Sequence, residues 1–593
     1  MKAACYIFLL FFAYSSLYCQ QYYIRGEVRD EKGNPLQNVK IVEQRTGYVY
    51  RSGVYGSFGI ITDSQTDTLN FSAEGYEKKD VIVSADKYVE VKLKLLTSTS
   101  VSMHRERLAS LTKDLQREEQ KKWFTGDETY ASLIENHFIN AGKFPVTGMS
   151  LDIDKASYSN VRRFIHYNSI VPPDAVRIEE MLNYFNFNYN EPSGKNVFSL
   201  KTKLTSSPWN PYNELFYINL SARKLNVDSL PPSNLVFLID ISGSMDMPNR
   251  LPLLKSAFRL LVNNLREKDT VSIVVYGGTV GIMLQPTGGA EKEKIQKAID
   301  DLTPGGATPG ESGIRLAYGL ARTHFIKGGN NRVILATDGD FNVGSRTEDE
   351  LDELISRQRE SGVYLTCLGV GMGNYKDSKI QTLSRKGNGN FGYLDSYQEA
   401  EKILLMEFTQ TLYAVADNVY MNVAFDPDYV KEYRLIGFDN KVSALKDSLT
   451  EVEGGEIGSG NSIEVVFELV PTETNRDAVQ NNFSGNTFAN INVRYKLPRD
   501  TTDHNVYFKT GFEFTPFDEL DSSYRFAASV IMFGSLLRKS PFTKTIGWND
   551  VLSLASQSAQ KNNEIQQDFI TLVQQAKTLY SKQKKRKRES SID

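Results

Sequence analysis

Residues Leu235 to Met245 read LVFLIDISGSM. Five apolar residues run into an aspartate, Asp240, and two serines follow at alternate positions, Ser242 and Ser244. A continuous apolar run of this kind is a strand buried on both faces, the type that parallel sheets use. Its abrupt change to oxygen-bearing side chains admits two readings. The oxygens are turn residues that end the strand, or they converge on a hard cation.

Outward from that strand, apolar runs alternate with helical patterns. LPLLKSAFRLLVNNL, from Leu251, places apolar residues at i, i+3, i+4 and i+7. TVSIVVYG, RVILATDG and VYLTCLGVG read as further buried strands. Helical patterns fall at Glu291–Asp301, Glu311–His324, Glu348–Gly362 and Asp377–Lys386. Buried strands alternating with helices predict a doubly wound, mostly parallel α/β sheet. In such folds the working crevice lies outside the carboxyl ends of the strands. LVFLID and RVILATD both deliver an aspartate there, Asp240 and Asp338.

A D-x-S-x-S triplet alone says little, because strand-end turns are rich in Asp, Ser and Gly. Here Thr308 follows in the glycine-rich GGATPG and Asp338 in ATDGD, in that order and on an α/β pattern. Carboxylates and hydroxyls, without sulfur or imidazole, are the ligands of a small hard cation. The combination resembles the von Willebrand factor type A domain and its metal-ion-dependent adhesion site, over about Asn234 to Leu412. The resemblance implies that Ser242 and Ser244 contact magnesium directly, with manganese or calcium as alternatives. Thr308 would bind when a ligand is present, and Asp240 and Asp338 directly or through water. The open position would take an Asp or Glu of a protein partner. Asp246 and Asp340 have no place in the motif and read as surface or field charges, and Asn342 as a loop-stabilising residue.

The expected organisation is multidomain: an N-terminal all-β sandwich, the central A domain at 233–412, and flanking mixed α+β regions at 136–232 and 413–593. Met1-Lys2 and the short apolar run after it have the layout of a secretory signal peptide over 1–20. The chain is therefore expected to be exported, to the periplasm or the cell surface, with lipid anchoring at Cys19 disfavoured by the bulky Tyr18. Residues 21–96 alternate with period two between glycine turns. IRGEVRDEKGNPLQNVKIVE and LNFSAEGYEKKDVIV resemble the carboxypeptidase regulatory-like β-sandwich at the front of many exported Bacteroidetes proteins. Residues 97–135 read as a linker, with Leu108, Leu111 and Leu115 at near-helical spacing.

Flanking the A domain, PPDAVRIEEMLNYFNFNY, YRLIGFDNK and GGEIGSG, together with GNNRVILATDGDFNVG inside it, resemble one bacterial family of exported proteins. That family surrounds its A domain with dedicated N- and C-terminal regions. Asp152 and Asp154 suggest a second cation site, though such pairs more often cap a helix or face solvent. The terminal KQKKRKR reads as a solvated charge run.

Composition narrows the function. Lys plus Arg total 69 and Asp plus Glu 72, so the net charge of −3 gives no global pull toward nucleic acid or an anionic membrane. Five scattered histidines do not pair at zinc-ligand spacing, and past the leader no segment is long and apolar enough to span a bilayer. Cys367, in YLTCLGVG, reads as a buried core thiol. No phosphate-binding G-x-x-x-x-G-K-[ST] occurs, and GVGMGNYKD lacks the third glycine of a dinucleotide fingerprint. Ser242 lacks a nucleophile elbow, and His324, the next histidine along the chain, sits in helical text. The expectation is therefore a binding scaffold and not an enzyme. The alternative is a structural or envelope-assembly protein whose metal is structural and whose β-sandwich carries recognition.

Overall fold

The computed structural model describes residues 22–94 and 128–589, leaving out within them 32, 54, 63, 74–75, 131–132, 152–153, 227–229, 307–309, 340–354, 356–360, 374, 439–453, 476–486 and 499. The chain divides into two compact units, Met1–Lys121 and Lys122–Asp593. The expected linker helix around Leu108–Leu115 lies outside the described residues, as does most of the helix expected at Glu348–Gly362.

The first unit contains β1 (Tyr22–Asp30), β2 (Lys40–Glu43), β3 (Val49–Arg51), β4 (Ser57–Thr62), β5 (Thr66–Ser72), β6 (Lys79–Ser84) and β7 (Val89–Leu93). They form two sheets, ordered β4-β1-β7 and β3-β2-β5-β6. Period-two burial, clearest in β4, turns alternate residues of both sheets into one core that includes Ile24, Ile41, Ile60 and Phe71.

In the second unit β8 (Ile139–Asn140), β9 (Val146–Ser150), β10 (Phe198–Ser206) and β11 (Glu214–Ala222) precede the α/β segment. That segment contains β12 (Ser233–Asp240), β13 (Thr270–Gly277), β14 (Thr279–Gly288), β15 (Asn330–Thr337), β16 (Tyr364–Gly369) and β17 (Phe391–Tyr393). Its six-stranded sheet is ordered β14-β13-β12-β15-β16-β17, parallel throughout except for edge strand β14. Along β12, Leu235, Phe237 and Ile239 point into one hydrophobic cluster, while Val236 and Leu238 point into another on the opposite face. Helices Leu251–Asn263 and Lys292–Asp300 cover the first face, and Gly310–Thr323 and Asp377–Lys386 the second. The unbroken apolar run is thus a strand with a core on each side. Cys367 is fully buried on β16, where burial pushes its thiol well up.

The chain then runs through β18 (Ala414–Phe425), β19 (Val430–Ile436), β20 (Gly455–Gly458), β21 (Ser462–Pro471), β22 (Thr487–Lys496) and β23 (Asp503–Gly511). These strands do not stand apart from those before the α/β segment. One sheet is ordered β10-β11-β21-β19-β8, and in the other β9 pairs with β18 beside β20, β22 and β23. Helices Ser522–Arg538, Trp548–Ser558 and Glu564–Glu589 pack with Ala156–His166 and Ile178–Asn183 around an aromatic-rich core. The backbone of the terminal KQKKRKR continues the last helix. Among the described residues no helix is long and apolar enough to cross a membrane.

Candidate metal centre

Because β12 and β15 are parallel neighbours, their carboxyl ends emerge side by side. Asp240 is the last residue of β12, and Asp338 directly follows β15; both side chains are fully buried. Ser242 N–H donates to Asp240 Oδ1 at 2.9 Å, and the Thr337 hydroxyl donates to Oδ2 at 3.0 Å. Burial nevertheless pushes the Asp240 carboxyl up to about 6, and the charge of Asp338 pushes the same way. The two carboxylates repel each other in this desolvated pocket, and a cation offsets that repulsion.

The loop after Asp240 turns through a short 3₁₀ segment, Gly243–Met245. Met245 is buried and plugs the turn into the core, leaving the Ser242 and Ser244 hydroxyls 3.1 Å apart. The floor is close-packed: a Cβ at Gly277 would lie 2.5 Å from Ser242 N. The glycine-rich loop is tied to the same turn, with Gly305 N–H donating to Ile241 O at 2.6 Å and Gly243 N–H to Gly306 O at 3.1 Å. Thr308 itself lies outside the described residues, as do Asp340 and Asn342. The structure therefore brings together Asp240, Ser242, Ser244 and Asp338 and holds the start of the Thr308 loop against them. Two carboxylates and two neighbouring hydroxyls form an all-oxygen donor set that fits a hard divalent cation. Among the described residues no group of three or more His, Cys, Asp and Glu forms a different metal cluster.

Other sequence candidates fall elsewhere. Asp246 is exposed on the turn. Asp154 is buried and accepts from Phe391 N–H at 2.9 Å, tying the flanking segment to the end of the α/β sheet, which is a structural use. Asp152 lies outside the described residues. His324 follows the carboxyl end of the helix that starts at Gly310, about 20 Å along the axis at 1.5 Å per residue, and is no base for Ser242.

One residue of the centre does not stand out in the sequence. Arg250 precedes helix Leu251–Asn263, where the helix dipole disfavours a cation. Its Nη1 donates to Asp338 Oδ2 at 2.7 Å and to Ser244 O at 2.6 Å, and its Nη2 donates to Met372 O at 2.8 Å. A basic residue at a helix start shortly after D-x-S-x-S is the signal that could have found it.

Residues 234–405 match the von Willebrand factor type A domain. Residues 124–217 match a family described as von Willebrand factor, and residues 410–579 match one described as Uncharacterized protein YfbK, C-terminal. YfbK of Escherichia coli K12 is 36% identical over 470 residues, covering 76% of this chain and 81% of its own. The chain belongs to the YfbK family. A more distant relative, human inter-alpha-trypsin inhibitor heavy chain H3, is 24% identical over 301 residues, covering 46% of this chain and 33% of its own. A solved von Willebrand factor type A protein from Catenulispora acidiphila is 14% identical, with a TM-score of 0.37, covering 63% of this chain and 88% of that one. The YfbK match spans the α/β sheet and the segments on both sides of it, whose strands share sheets.

Proposed function

We propose that this YfbK-family chain is an exported, non-enzymatic scaffold whose A domain captures an acidic side chain of a protein partner through a divalent cation, magnesium first. The observation that carries the reading is the convergence of buried Asp240 and Asp338 with the paired hydroxyls of Ser242 and Ser244. These four residues and Thr308 would hold the ion, which when bound supplies a positive charge with an open coordination position. The protein's part is to fix the oxygens and exclude water, so that an incoming Asp or Glu gains more than a neutral amide does. A signal peptide over 1–20 fits export, and the first unit fits a carboxypeptidase regulatory-like spacer.

The test is calorimetric titration of the protein lacking residues 1–20 with magnesium and manganese. One ion per chain is expected, and Asp240→Ala should abolish binding. Unchanged binding in that variant places the ion elsewhere. Partner capture from the native host should then be lost in EDTA and restored by magnesium.

A second reading, recognition by the first unit around a structural metal, draws on one observation. Tyr23 and Ile61 face each other in register on β1 and β4 and are 57% and 60% exposed. Capture that survives chelator but not Tyr23→Ser would favour it.

A further inference from the structure

Arg250 is a buried guanidinium inside the candidate metal centre, its side chain 10% exposed. Its bonds run to three separate segments: Asp338 at the end of β15, the Ser244 carbonyl in the turn after β12, and the Met372 carbonyl in the loop after β16. Room for it is built in. Gly371 has φ +82°, and a Cβ there would lie 2.5 Å from Arg250 Nε. The backbone thus gives up a side chain so that the guanidinium can lie against it.

The charges decide what this arrangement does. Asp240 and Asp338 bring two negative charges, and Arg250 cancels one. A divalent cation among neutral hydroxyls then leaves the filled centre with one net positive charge. Without the arginine the filled centre is neutral. Arg250 also claims Asp338 Oδ2, so that oxygen is less available to the ion. Resting on the metal-dependent reading above, we propose that Arg250 sets the charge of the centre: it weakens cation binding and in return keeps the filled centre positive toward an acidic partner group. A residue that merely braces three loops makes the opposite prediction for the cation, because loosening the loops would weaken cation and partner binding alike.

The experiment titrates the protein lacking residues 1–20, and its Arg250→Gln, Arg250→Met and Arg250→Lys variants, with magnesium chloride by calorimetry. Gln and Met should bind magnesium at least about tenfold tighter, as expected when a like charge is removed from a poorly solvated site. Lys, which keeps the charge, should stay within about threefold of the parent. On a polyglutamate resin with magnesium present, the Gln and Met variants should elute at lower salt than the parent and the Lys variant. Unchanged or weaker magnesium binding in Gln and Met, or unchanged retention on the resin, overturns the proposal while leaving the metal site intact. Loss of the folded state in both Gln and Met variants also overturns it, by making Arg250 part of the scaffold. No magnesium heat with the parent protein is a separate result that removes the metal-dependent reading itself.

Discussion

Glu464 shows at the level of one residue how the fold imposes chemistry that its sequence hides. In SIEVVFELV the polar residues Ser462, Glu464 and Glu468 alternate with apolar ones, which reads as a strand with one wet face. That face is covered instead: Val466, between the two glutamates on the same side, packs into the helical core with Tyr217 and Tyr524. Glu468 is compensated by Trp209, Asn213 and Arg434. Glu464 accepts from Asn219 Nδ2 at 2.9 Å, and its Oε1 has no hydrogen-bond partner. Burial pushes its carboxyl from 4.5 up to about 8. An acid raised on folding binds more protons in the native state, so its stability contribution is full below pH 4.5 and is lost as pH climbs through 8. Gln mimics the protonated form. Glu464→Gln should therefore be more stable than the parent at pH 8 by a few kcal/mol, at about 1.4 kcal/mol per pKa unit, and equal to it near pH 4.5. Denaturant melts across that range check it, and a pH-independent difference would rule it out. The oxygens at Asp240, Ser242, Ser244 and Asp338 were legible because they punctuate long apolar runs. Arg250 was not, because two of its three partners, Asp338 and Met372, lie far along the chain.

Among the elements, the parallel strands announced themselves by length and apolarity, and the helix expected at Glu311–His324 lies at Gly310–Thr323. Strand β14 did not, since Pro286 and its glycines interrupt any pattern, and an edge strand whose register shifts at Pro286 tolerates them. Strand β15 hides a different feature. Arg332 is fully buried near its start, pairs with Glu456 of β20 at 2.6 Å, donates to the Thr366 hydroxyl at 2.7 Å and lies 5.0 Å from the Tyr364 ring. This ion pair bolts the α/β sheet to the strands that follow it. Arg332→Met removes the guanidinium paired with a buried carboxylate and should cost about 3–5 kcal/mol, with much of the loss recovered in Arg332→Met/Glu456→Leu. Thermal and urea melts of the single and double variants measure both. A single variant within about 1 kcal/mol of the parent would show that Glu456 finds another partner.

Across the whole molecule, the segments before and after the A domain are one body. Strand β11, buried along its full length, lies between β10 and β21, and β9 completes the sheet edge beside β18. Nothing local in the sequence signals pairing between strands so far apart, because register across sheets is written in packing and not in periodicity. A fragment of residues 414–593 lacks β8 to β11 and two of the helices around the aromatic core. It should show no cooperative melt and should bind hydrophobic dye, whereas residues 122–593 should melt in one transition with the A domain in place. A fragment that melts cooperatively would mean the carboxyl-terminal strands form a core of their own. The same topology sets a clock on synthesis. Strand β11 ends at Ala222 and its partner β21 begins at Ser462, so at about 5–20 residues per second the ribosome needs ~10–50 s between them. Through that interval a nine-residue strand that the finished fold buries along its length has one open edge and no cover, the exposure that invites pairing with a neighbouring nascent chain. Production of this protein therefore depends on how well the cell shields a half-made sheet, and slow translation should lower its yield more than its melting temperature would suggest.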